Sequence, residues 1–296
     1  MAVVTDQQVD LREPKGLRRA KNRLATTLMV ISFVVVIIPL VFVLFTVIAK
    51  GISIISWQFL TSGPIPPNVA PADVGGIGPA VLGTIEIVGL ATVFAVPLGV
   101  LGAIYLNEYG GSNWLSKFIG FMADVMTGVP SIVMGLFIFS IWVLHFGFSG
   151  FAGALALGCL MLPIVIRSSY EMLRLVPDSL REGSYALGAT KARVTVTVVL
   201  PAAIGGIVSG ALLAVARAAG VTAPLLFTIL TVTQANLNVF SGPNTALATQ
   251  IFVNATSPYT GAEQRAWGCA LTLIVITFVL MLIARVVTAR FTRYTH

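Results

Sequence analysis

Long apolar runs alternate with shorter polar stretches along this chain, and the run lengths set the expected elements. Apolar positions dominate about residues 24–49, 80–106, 118–144, 151–166, 202–230 and 266–287. The first run, of roughly 26 residues, rises ~1.5 Å per residue as a helix and crosses a ~30 Å hydrocarbon core with some tilt. Each run is read as a membrane span. Pro39 and Pro97 fall inside the first two, where neighbouring helices can re-satisfy the carbonyl that proline leaves free. The stretch GPIPPNVAPADVGGIGP (63–79) is too rich in Pro and Gly for regular helix. Gly110-Gly111 marks a turn within 107–117, HFGFSG (145–150) separates the third and fourth runs, and polar loops cover about 167–200 and 231–265. VTVTVV (194–199) alternates like a strand. An open strand edge at a membrane surface leaves backbone groups unpaired, so the segment is read as an interfacial helix entering the fifth span. The pattern predicts an all-α membrane protein with six transmembrane helices.

Composition agrees with this reading. Hydrophobic residues make up 57% of the chain and charged residues only 10%, where a soluble domain carries about 25% charged. The net charge of +7 does not point to nucleic acid, because the basic residues gather in the segments between spans. Of the 18 lysines and arginines, 15 fall in the N-terminal tail, at Lys117, in the 167–200 loop or near the C-terminus. Lys50 and Arg265 alone fall on the opposite side, and Arg217 lies within the fifth span. This asymmetry places both termini in the cytoplasm. A reporter fused after His296 is expected to read as cytoplasmic, and an extracytoplasmic signal would overturn the topology. The first apolar run follows 23 polar residues and lacks a small-residue cleavage site, so no cleaved signal peptide is expected. The implied organisation is a cytoplasmic tail (1–23), a first span (24–49), an extracytoplasmic loop (50–75), a five-span domain (76–287) and a second cytoplasmic tail (288–296). Cys159 and Cys269 sit in apolar runs and are read as packing residues, with no disulfide or metal framework. His145 alone makes no metal site and is read as an interface residue. Asn254-Ala255-Thr256 matches a glycosylation sequon, a motif too common by chance to inform.

The segment Arg181–Pro201 keeps charge between two apolar spans. Pro177, Asp178 and Glu182 suit a helix start. Gly188 suits a left-handed turn and Thr190 a cap on a following helix. The predicted product is a rigid helix-turn-helix knob, suited to a groove on another subunit. Its register resembles the EAA loop of ATP-binding-cassette importer permeases, E-A-A-x3-G-x9-I-x-L-P. Glu182, Gly188, Leu200 and Pro201 match, Val198 stands for Ile, and Gly183 and Ser184 replace the two alanines. MADVMTGVPSIVMGLF (122–137), PLGVLGAIYLNEY (97–109) and the text from Leu162 to Thr228 are similar to A-type permease subunits of phosphate-specific transport systems. The resemblance covers about residues 76–285. It implies a type I importer permease with the fold of methionine-type permeases, in a bacterial inner membrane and surrounded by lipid. It further implies a homologous second permease subunit, two copies of an ATPase subunit and an extracytoplasmic phosphate-binding protein. Arg181, Glu182, Gly183, Ser184, Ala186, Leu187, Gly188, Ala189 and Pro201 would form the ATPase-coupling loop within 177–201. No G-x4-G-K-S/T phosphate loop occurs in the chain, so ATP and Mg are expected in the partner ATPase and no cofactor in this chain. The same machine for molybdate or sulfate, and a self-sufficient secondary transporter, are the competing readings. No inverted repeat is visible to favour the latter.

Two intramembrane charges bear on the substrate path. A central arginine costs about 2.5–3.5 kcal/mol on insertion scales, and guanidinium geometry matches phosphate oxygens. Arg217, with Thr222, is the candidate phosphate pathway; bracing of the bundle is the alternative role for Arg217. The resembled family reads R-x-x-G-E-T-A-P, whereas this chain has Val221 in place of the acid. Glu86, in the second span, is the candidate replacement counter-charge to Arg217. Asp124, with Thr127 and Ser131 along one face, is expected to brace the third span. Arg167 and Arg174 border the docking loop. Gly206 and Gly210 form a GxxxG face expected to pack closely against another helix.

Overall fold

The computed structural model describes residues 16–65, 70, 72–111, 113–234 and 236–292. The remainder of both tails and part of the Pro-rich loop lie outside the described residues. The chain divides into two units, Met1–Ala49 and Lys50–His296. The first is helical throughout its described part: α1 runs Gly16–Gly51, its last two residues entering the second unit, with Pro39 inside it. Leu28, Phe33, Val36, Phe42 and Phe45 on α1 are exposed apolar side chains, as a lipid-facing helix requires.

The second unit begins with the short α2 (Trp57–Thr61), capped by the Ser56 hydroxyl, which accepts from the Phe59 N–H at 3.1 Å. α3 (Gly78–Ile104) continues as a π-helical turn, Tyr105–Tyr109. α4 (Trp114–Gly128) and α5 (Ser131–Ile138) are followed by a second π turn, Phe139–Val143, and the one-turn α6 (Leu144–Phe146). α7 (Gly150–Arg174) starts at Ser149, whose hydroxyl accepts from the Ala152 N–H. Then come α8 (Asp178–Ala186), α9 (Lys191–Val194), a third π turn (Thr195–Val199) and α10 (Leu200–Ala219). α11 (Ala223–Thr228), α12 (Leu247–Ala255) and α13 (Thr260–Thr292) complete the chain. Among the described residues, five helices are long and apolar enough to cross a membrane, or six if α4 and the helix from Ser131 to Phe146 form one broken span. VTVTVV is helical, as the backbone argument predicts, with Thr195–Val199 in the π form.

Three expected elements differ. The third span is not continuous: Val129-Pro130 separates two helices bent by 108°. Proline disfavours helix in the residue before it and suits the start of the next. The fourth span runs eight residues beyond Ile166, so Arg167 and Arg174 lie on α7 rather than in a loop. The fifth span runs Lys191–Ala219 and stops at Gly220 instead of continuing to 230. The apolar sequence Ala223-Pro224-Leu225-Leu226 conceals a break that Gly220 and Pro224 together create.

Packing relies on small residues, since lipid supplies no hydrophobic drive between helices. Ala91 and Ala95 of α3, Ala154 of α7, Ala214, Ala218 and Ala219 of α10, and Ala246 share one buried cluster with Ile87, Leu157 and Val165. The expected GxxxG face packs on α7: a Cβ on Gly206 would lie 2.2 Å from the Met172 sulfur, and one on Gly210 2.4 Å from Ser168 Oγ. Both cysteines are free thiols; Cys269 is fully buried with Phe59 and Leu247. Asn254 is buried and donates to Gln250, which removes it as a glycosylation acceptor.

Candidate functional site

α8 leaves the bundle between two tight turns. Arg174 ends α7, Pro177 precedes α8, and Asp178 occupies its first turn, where a carboxylate meets the positive helix end. Glu182 lies a turn later, outside the stretch where that end acts. Gly188 has φ +80°, and its N–H donates to the Tyr185 carbonyl at 2.9 Å, so the expected left-handed turn closes the helix. Thr190 stands at the start of α9, but its side chain makes no cap.

No residue of α8 is buried. Glu182, Gly183, Ala186, Leu187 and Gly188 are exposed, while Ser184 and Ala189 are half-buried. Leu187 is 90% exposed, a large apolar side chain at the tip of the projecting turn. Pro201 lies in the first turn of α10. Arg181 behaves differently from the rest. Its Nη1 donates to Val176 O at 2.5 Å and Asp178 Oδ1 at 3.0 Å; its Nη2 donates to Leu173 O at 3.0 Å and Glu108 Oε1 at 3.1 Å. Asn107 Nδ2 donates to the same Glu108 oxygen at 2.7 Å. Glu108 is a functional candidate that sequence reading missed, since it falls in a stretch read only as a turn. Its one signal was an acid at the close of a long apolar run.

The second cluster surrounds Arg217. This residue sits in the last turn of α10, not at the centre of a span, and the negative helix end there suits a cation. Arg217 lines a cavity of about 310 Å³ with Thr127, Val129, Pro130, Ser131 and Pro163 among its neighbours. The break in the third span therefore supplies two hydroxyls and the start of α5 to the same cavity. Asp124 forms an ion pair with Arg167 of α7, which gives Asp124 the bracing partner expected of it. Thr222 does not join the cavity lining; its hydroxyl points to Ala248 O at 3.5 Å. Among the described residues, no ion pair joins Arg217 to Glu86. Ile87 and Val88 turn into the central cluster, leaving Glu86 half-buried beside them. Val221, where the resembled family carries an acid, lies past the end of α10 and packs against that apolar cluster.

Arg265, expected in an outer loop, lies on α13 and is 2% exposed. Its guanidinium donates to Val74 O at 2.5 Å, Ile65 O at 2.9 Å and Asn254 Oδ1 at 3.4 Å, fastening the 63–75 loop to α12 and α13.

Comparison with known proteins fits this architecture. The family of binding-protein-dependent transport system inner membrane components matches residues 95–293. The phosphate transport system permease protein PstA 1 of Mycobacterium tuberculosis H37Rv is 46% identical over 276 residues, covering 91% of this chain and 88% of that protein. PstA of Yersinia pestis is 41% identical, covering 94% of each. Among solved structures, a bacterial alginate ABC transporter in complex with its pentasaccharide-bound periplasmic protein shares the fold at TM-score 0.65 and 13% identity, covering 95% of this chain and 99% of that one. The inward-facing MetNI methionine ABC transporter does so at TM-score 0.58 and 16% identity, covering 77% and 99%. With its apolar spans, bundle fold and relatives of nearly full length, the chain belongs to the binding-protein-dependent transport system inner membrane components, on their branch of PstA-type permease proteins of the bacterial plasma membrane.

Proposed function

We propose that this chain is one half of the translocation pathway of an ATP-driven importer for inorganic phosphate. The substrate follows from near-full-length relatives named as phosphate transport permeases. In this reading the α8 end of the bundle faces the cytoplasm. Residues 177–201 dock on an ATPase, a homologous second permease completes the pore, and a phosphate-binding protein delivers substrate at the opposite face. ATP and Mg are held by the ATPase copies. Closure of the ATPase pair moves α8, and the spans follow as rigid bodies to alternate access. The observation that carries the reading is the split exposure of α8, with Arg181 rooted inward while Glu182 and Leu187 stand free at the tip. Exposed apolar side chains beside a charge form the pattern of a docking knob.

Glu182→Ala is expected to lower ATP-dependent phosphate uptake by the complete reconstituted complex by about 30-fold, the effect of losing one interface anchor. Co-purification of the ATPase should weaken in parallel. Wild-type uptake together with wild-type co-purification would overturn the docking assignment.

A further inference from the structure

Arg181 stands where three elements meet. Its guanidinium gathers the Leu173 and Val176 carbonyls at the end of α7, Asp178 at the start of α8, and Glu108 in the π turn that closes α3. The Arg181 and Glu108 side chains are only 12% and 4% exposed. Leu173, Val176, Ala103, Val194, Val199 and Ala203 form an apolar cluster that joins the ends of α7 and α3 to α9, the third π turn and α10, with no residue of α8 in it. A few residues beyond α8, Lys191 Nζ sits 5.2 Å from the centre of the Tyr109 ring, one residue past Glu108. The end of α3 is therefore held on both sides of the projecting helix.

We propose that the Arg181–Glu108 ion pair is the joint that carries displacement of α8 into the α3 span, making both positioning residues for coupling. The inference rests on reading residues 177–201 as the ATPase-docking segment. α8 buries none of its own residues, and the turns on either side of it can absorb a push by rotating their backbone dihedrals. An ion pair mostly withdrawn from water resists separation, because parting it deprives the buried Glu108 carboxylate of its cation, while Arg181 keeps only Asp178 and two carbonyls. Displacing α8 thus draws α3 along. The consequence reaches the Arg217 cavity, since Ile87, Val88, Ala91 and Ala95 of α3 share a buried cluster with Ala214, Ala218 and Ala219 of α10. Adjacent residues of one helix point about 100° apart, so Glu182 can meet a partner while Arg181 grips the bundle.

The test is phosphate taken up per ATP hydrolysed by the complete complex in vesicles. This ratio separates a transmission role from a purely structural one, which would lower assembly and leave the ratio of assembled complexes unchanged. Glu108→Gln, which keeps size and an acceptor oxygen, is expected to lower the ratio about threefold, and Glu108→Lys roughly tenfold or more. An unchanged ratio in Glu108→Lys overturns the joint; if that variant does not assemble, an unchanged ratio in Glu108→Gln does so. Glu182→Ala, run alongside, separates the two readings. If it alone impairs uptake, docking stands and the joint falls. If it leaves uptake and ATPase co-purification at wild-type levels, the docking reading falls and the joint with it.

Discussion

Arg217→Ala is expected to reduce phosphate uptake by about 100-fold or more while the assembled complex forms in normal yield. The magnitude is that of removing one preorganised charged donor from an ion's path, ~3 kcal/mol. Three features of the structure motivate it. Arg217 is exposed on the described chain, it lines a cavity shared with Thr127 and Ser131, and no described carboxylate neutralises it. Arg167 and Arg181, by contrast, are each paired with an acid of this chain, Asp124 and Glu108. Arg217→Lys should recover part of the uptake, because charge persists while the two-pronged geometry is lost. Uptake at wild-type levels in the alanine variant, or a loss that tracks falling complex yield, would reassign Arg217 to the packing of the pore.

Gly83→Ala is expected to be the most damaging single methyl addition in the bundle, destabilising it by about 3 kcal/mol. A Cβ at this position would lie 2.0 Å from the Thr245 carbonyl oxygen and 2.9 Å from Asn244 Oδ1. Neither group can retreat freely. The Asn244 side chain accepts from the Thr245 N–H at 2.7 Å, and next door the Thr84 hydroxyl accepts from the Leu247 N–H at 2.8 Å. The first bond holds Asn244 against Thr245 and the second fastens the start of α12 onto α3, so a methyl here must push backbone apart. The gain in helix propensity, about 1 kcal/mol, is too small to offset that clash. Gly89→Ala, six residues along the same helix, meets no atom within 4 Å and should leave stability equal or slightly raised. Thermal melting of the detergent-solubilised complex compares the two; equal melting points would contradict the close approach.

Much of the architecture was legible because hydropathy acts locally. Apolar runs long enough to cross a bilayer can satisfy their backbone only as helix, which is why even the strand-like VTVTVV had to be helical. The projecting segment was legible for a related reason. Its turn needs glycine at one position, and Gly188 takes the left-handed conformation there. The breaks were less legible. Pro130 falls within an apolar run just as Pro39 and Pro97 do, and those two stay inside continuous helices, yet here the chain turns by 108°. A proline's effect depends on whether neighbouring helices keep the chain straight, and local sequence does not contain them.

The sequence by itself determined the membrane class, the spans to within their breaks, and the place and turn chemistry of the projecting segment. Only the tertiary structure decided which charges meet. Glu108 and Arg181, 73 positions apart, come together with their side chains largely covered, whereas Glu86 and Arg217 form no pair among the described residues. Arg265, an ordinary loop charge by pattern, fastens a loop from inside the bundle. The physical reason is one of range. Burial of an apolar run and the dihedrals of a glycine turn are settled within a few residues, but the environment of a charge is set by whichever distant helix packs beside it.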